Sequence, residues 1–170
     1  MLDVVFEAIT WASVAGALWL ALALALAVLR GRRGTLLLTA IAIALADGVA
    51  QLLQGVVGRR RPPLVTSAIE PLIRVPDAGS FPSGHASTSF AAATVLALIL
   101  PRFGVPLLLL AAAVAYSRLY VGVHYPLDSL GGLAVGVTCG LLVHTVARRK
   151  APWLLVAGPL RRPRPQVPPG

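Results

Sequence analysis

Apolar runs long enough to cross a bilayer dominate this chain, and they restrict its fold more than any other feature. Trp11–Leu29 is almost entirely Ala, Leu and Val. As a helix its nineteen residues rise about 28 Å, close to the roughly 30 Å hydrocarbon core. Leu18 to Ala27 alternates with a period near two, but the length of the run decides for a helix. Four further apolar runs follow, at Thr35–Val57, Pro82–Leu100, Val105–Val121 and Pro126–Val146. The expectation is an all-α integral membrane bundle of about five transmembrane helices. Composition agrees: 57% of residues are hydrophobic and only 12% charged, against about 45–50% and about 25% in soluble domains.

One membrane-embedded domain is expected over residues 1–150, followed by a short Pro- and Arg-rich tail, 151–170, that is mostly disordered. The formal net charge of +9 needs no nucleic acid to explain it, because Lys and Arg collect in cytoplasmic loops. With five spans, Arg30, Arg32, Arg33, Arg102 and the six basic residues from Arg148 onward share one side, ten in all. Arg59, Arg60, Arg61, Arg74 and Arg118, five in all, share the other. The charge bias predicts a cytoplasmic-membrane protein with its N-terminus outside and its C-terminus inside. Asp3 and Glu7 stand where a cleaved signal would carry basic residues, so the first apolar segment is expected to stay in the mature protein. Cys139 lies in an apolar run and reads as a packing residue, with no disulfide framework.

Three polar islands interrupt the apolar runs, all on the predicted outer side. They are Gly58–Pro62, Pro82–His85 and Ser117–Asp128. Charged and titratable groups at membrane depth are costly and usually mark a working site. Arg61 and Arg118 offer planar forks that match phosphate oxygens. Ser83, Gly84 and His85 open a helix, where free N–H groups and the helix dipole attract anions. Asp128, in the first turn of the last span, can reach back to one nitrogen of His124 and leave the other free to attack. His85, from another helix, faces the leaving oxygen as an acid. Two alternatives accompany this reading: a metal bound by His85, His124 and Asp128, which the neighbouring arginines oppose, and a non-catalytic lipid-phosphate binder.

The islands resemble the signature of the type 2 phosphatidic acid phosphatase family, the membrane branch of a superfamily that also holds haloperoxidases. Its pattern is Lys-x6-Arg-Pro, Pro-Ser-Gly-His and Ser-Arg-x5-His-x3-Asp. The second part is complete at Pro82-Ser83-Gly84-His85, and the third at Ser117-Arg118, His124 and Asp128. The first matches at Arg61-Pro62, but its Lys falls on Gln54. The resemblance implies a metal-independent phosphatase without cofactor, acting on a membrane lipid phosphate. In it His124 forms a phosphohistidine, Asp128 orients it, and His85 is first acid and then base. Arg61, Ser83, Gly84 and Arg118 hold the phosphate. Polyprenyl diphosphate and phosphatidic acid are the substrate classes, with the former preferred by analogy. The membrane branch usually has six spans, one more than is read here.

Gln54 departs from the pattern. It is expected to give phosphate a neutral hydrogen bond, with Arg59 or Arg60 supplying the missing charge or, failing that, meeting lipid headgroups. Asp47, Gln51, Gln54 and Gly58 share one face of the second span. Asp47 lies about 16 Å deeper than Gly58 along that helix and is expected to serve packing, not phosphate. His144, at the opposite end of the last span, is read as structural. Gly132, Gly136 and Gly140 repeat every four residues and allow close helix approach. Packing within the bundle is the preferred reading of that stripe, with a homodimer seam as the alternative.

Overall fold

The computed structural model describes residues 3, 6, 16–31 and 33–155. Five α-helices organise them: α1 (Ala17–Arg30), α2 (Arg33–Val57), α3 (Gly84–Ile99), α4 (Gly104–Tyr120) and α5 (Pro126–Lys150). Single 3-10 turns lie at Pro62–Leu64, Pro101–Phe103 and Pro152–Leu154, and there is no strand among the described residues. Trp11 to Ala15 of the first predicted span, and residues 156–170 of the predicted tail, lie outside the described residues.

Chain punctuation follows local chemistry. Gly58 takes a left-handed φ of 60°, and its N–H bonds the Gln54 carbonyl at 3.0 Å, a glycine C-terminal cap. Ser83 caps α3, its hydroxyl accepting from the Ala86 N–H. Pro126 opens α5 at the first helical position, where its missing N–H costs nothing.

α3 is the hub, packed against α2, α4 and α5. Ala86 to Leu96 is buried without interruption, so this helix has no lipid-facing stripe, as expected of a helix surrounded by protein. Its sixteen residues rise only about 24 Å, a length that suffices because its neighbours shield it. The stretches Gly34–Leu64, Pro101–Tyr120 and Pro126–Lys150 are long and apolar enough to cross a membrane, whereas Ala17–Leu29 and Gly84–Ile99 are shorter. Outward-facing Leu29, Val56, Leu109 and Leu142 are exposed, as lipid contact requires. Trp19, fully buried, fastens α1 to α3 by donating its indole N–H to Ser89 Oγ at 2.9 Å.

The glycine stripe of α5 faces α3. A Cβ at Gly132 would lie 2.6 Å from the Ala86 Cβ, one at Gly136 2.7 Å from the Phe90 Cβ, and one at Gly140 2.8 Å from the Thr94 Cβ. α3 thus occupies the Gly132/Gly136/Gly140 face, which is the packing within the bundle that the sequence reading preferred.

Both ends of the bundle can be traced. Asp3 accepts a hydrogen bond from the Tyr120 hydroxyl at 2.9 Å, so it lies at the end where α4 stops. The backbone of Leu154 lies against Gly34, which places the start of α2 beside the end of α5.

Candidate active site

The three islands meet around His124, which is 5% exposed. Its Nδ1 lies 2.9 Å from the Ser80 carbonyl oxygen and its Nε2 2.9 Å from Arg61 Nη1. A carbonyl only accepts and a guanidinium only donates. The ring is therefore the tautomer with hydrogen on Nδ1 and a lone pair on Nε2. Asp128 Oδ2 stands 3.5 Å from Nδ1 and accepts the Tyr125 N–H at 2.8 Å. The other carboxyl oxygen, Oδ1, receives Arg59 Nη1 at 3.0 Å, and the Arg59 guanidinium lies 4.2 Å over the Tyr125 ring. Burial holds the His124 imidazole below its ordinary pKa of 6.5; Asp128 opposes this, while Arg61 and Arg118 reinforce it.

Arg61 is held by the loop that follows α2. Its Nε donates to the Ala78 carbonyl at 3.0 Å, Nη2 to Gly79 at 3.1 Å and Nη1 to Val123 at 3.1 Å. Arg118 is different. It is 2% exposed, and its Nε and Nη1 have no hydrogen-bond partner; neither does His85 Nε2. Leaving buried polar groups unpaired costs about 1–3 kcal/mol each, more when charged. Arg61, Gly84, His85, Arg118 and His124 line one cavity of about 300 Å³. A phosphate there would satisfy the Arg118 donors and meet the Nε2 lone pair of His124. Positive charge in this cavity comes from guanidinium groups, and among the described residues no three His, Cys, Asp or Glu side chains gather as a metal set.

The other residues named from the sequence have the following places. The Ser83 hydroxyl caps α3 and is wholly buried, so it shapes the helix start that presents Gly84 and His85. Gln54 Nε2 donates to the Pro82 carbonyl at 2.8 Å, tying α2 to the start of the Pro-Ser-Gly-His island. Arg59 pairs with Asp128 at 3.0 Å and is not among the residues that line this cavity. Asp47 is not confined to helix packing: it lines the same cavity, as do Gln51 and Gln54. The Ser80 carbonyl could not be found from sequence, because every residue carries one. Arg59 stood beside Arg60, and nothing in the sequence told those two apart.

The PAP2 superfamily profile matches residues 34–152. The chain belongs to the PAP2 superfamily. Among the relatives of this PAP2 chain is decaprenylphosphoryl-5-phosphoribose phosphatase of Mycobacterium tuberculosis, 39% identical over 131 residues, which cover 75% of this chain and 71% of that protein. The crystal structure of Aquifex aeolicus LpxE superposes with a TM-score of 0.70 at 26% identity, covering 85% of this chain and 86% of that one. The PAP2-type phosphatidylglycerolphosphate phosphatase from Bacillus subtilis gives 0.63 at 26% identity, covering 88% and 78%. The membrane fold expected from the apolar runs and the phosphatase activity expected from the three islands are both borne out.

Proposed function

We propose that this PAP2 phosphatase hydrolyses a terminal phosphate on a membrane lipid through a phosphohistidine at His124. Arg118 carries the reading: a buried guanidinium with unpartnered donors, facing the same cavity as the His124 imidazole, whose Nε2 lone pair accepts from Arg61 Nη1 until phosphate draws that donor away. Phosphate oxygens take the Arg118 donors, the Gly84 N–H at the start of α3, and Arg61 Nη1 drawn off Nε2. The Nε2 lone pair then attacks phosphorus as the P–O bond to the lipid breaks. His85, protonated as the phosphate dianion binds beside it, gives that proton to the departing oxygen and is left neutral. Water next attacks the phosphorus, giving a proton to His85; the N–P bond breaks and orthophosphate leaves. Asp128 stabilises the imidazolium character that Nε2 attack creates on the ring.

A polyprenyl-borne phosphate is the favoured substrate, a preference supported by the name of the M. tuberculosis relative. The outer face of the cytoplasmic membrane is the favoured location, supported by the ten-to-five split of basic residues and the positive-inside bias. Phosphate release by purified protein over a panel of lipid phosphates tests the reading. His124→Ala is expected to lower kcat by at least on the order of a thousandfold, as loss of a nucleophile does. A smaller loss would remove His124 from the covalent role.

A further inference from the structure

The cavity wall contributed by α2 carries a polar pair that the steps above leave unused. Gln51 Nε2 donates to Asp47 Oδ2 at 2.6 Å, and both residues line the cavity that holds Arg118 and His124. Gln54 lines it too, nearer the loop. From Gln54 back to Asp47 the helix runs about 10 Å away from the phosphate position, along an open cavity wall on which Gln51 is exposed. A substrate that extends from the phosphate position along this wall passes amide and carboxyl groups. An alkyl chain laid there would cut the Asp47–Gln51 pair off from water while giving it no new hydrogen bond, at a cost. A second phosphate, as in a diphosphate, would bring acceptor oxygens against carboxyl oxygens that are themselves acceptors. Hydroxyl groups fit: they donate to Asp47 and exchange hydrogen bonds in either sense with Gln51.

We propose that Asp47 and Gln51 form a specificity subsite for a hydroxyl-bearing linker, a sugar or a glycerol, lying between the terminal phosphate and the lipid tail. The proposal rests on the reading of this cavity as a lipid phosphatase site with His124 as nucleophile. A site built to hydrogen-bond a hydroxyl discriminates strongly against analogues that lack it.

The test uses the full chain in detergent micelles with four phosphates. Two carry a linker, a polyprenyl phosphate bearing a pentose 5-phosphate and phosphatidylglycerol phosphate. Two do not, polyprenyl phosphate and phosphatidic acid. The readout is the ratio of kcat/KM for linker-bearing over plain lipid, which cancels any inactive fraction within a preparation. Asp47→Ala and Gln51→Ala should each lower that ratio about tenfold, with Asp47→Asn falling less because it keeps an acceptor. A shift confined to the pentose arm identifies a sugar, and a shift in both linker arms identifies hydroxyls generally. A ratio that stays within about threefold of wild type in all three variants overturns the subsite. If wild type shows phosphate release that depends on His124 while the ratio does not move, only the subsite fails. If wild type releases phosphate from none of the lipids, the phosphatase reading fails with it.

Discussion

Asp128 is fully buried, so the value of its charge to His124 depends on what holds each oxygen. Tyr125 N–H holds one and Arg59 the other, which makes Arg59 a positioning residue acting through Asp128. Removing it leaves a buried carboxyl oxygen without its charged donor. Arg59→Ala is expected to lower kcat about tenfold with KM nearly unchanged, because phosphate is gripped elsewhere. Arg59→Lys should recover part of the loss, keeping the charge but not the flat fork stacked on Tyr125. Separate kcat and KM values check this, and a loss appearing mainly in KM would place Arg59 on the substrate instead. His124 sets a second expectation. Its folded-state pKa is lowered, mainly by burial, so the neutral ring persists below pH 6.5, where an ordinary imidazole is already more than half protonated. The acid limb of kcat/KM assigned to His124 should therefore fall below pH 6.5, and a limb centred above that value would contradict the assignment. Stability follows the same sign. As pH drops from 6.5 towards the folded-state value, the unfolded chain takes up the proton first, so stability present above 6.5 is lost across that window.

Helix pairing makes its own demands. α5 approaches α3 through Gly136, where an added Cβ would meet Phe90 and the Ala91 backbone N at 2.7 and 2.9 Å. Overpacking of this kind typically costs about 1–3 kcal/mol. Gly136→Ala is thus expected to lower the melting temperature of the detergent-solubilised protein, whereas Gly55→Ala, with nothing within 4 Å of the new methyl, should leave it unchanged or raise it. Equal melting temperatures for the two would mean that α5 can shift away from α3 without cost. The four-residue glycine spacing was legible in the sequence, but the partner was not, since spacing defines a face without saying what meets it. The helix starts at Ser83 and Pro126 and the stop at Gly58 were legible because capping and proline chemistry is local. The cavity beside Asp47 was not legible for the opposite reason: helical rise gives the depth of that residue, but the cavity is made by α3, α4 and the loop before Ser80. The side chains around His124 could be named from their chemistry. The carbonyl that fixes its tautomer could not, because only the folded path of residues 76–80 brings it there.

At the level of the whole molecule, the bundle has a site end and a far end, and every argument about substrate access depends on which faces the cytoplasm. The site end gathers Asp3, Tyr120, the Arg61 loop and His124; the far end gathers Gly34 and Leu154, with Arg148, Arg149 and Lys150 in the last turn of α5. Five basic residues accompany the site end by sequence and ten the other. The asymmetry predicts the site end outside. Cys139 is buried, which leaves the chain suited to labelling at introduced thiols, and a Cys139→Ser background removes any remaining ambiguity. Arg74 and Arg102 are both exposed, the first in the loop over the site and the second in the turn between α3 and α4. In intact spheroplasts a membrane-impermeant maleimide should label Arg74→Cys at once and Arg102→Cys only after permeabilisation. The reverse pattern would put His124 on the cytoplasmic side, where the phosphate would have to reach it from the inner leaflet. The charge bias would then be overridden by something other than loop arginines, and the outward-facing phosphatase proposed above would be wrong in its orientation while its chemistry stood.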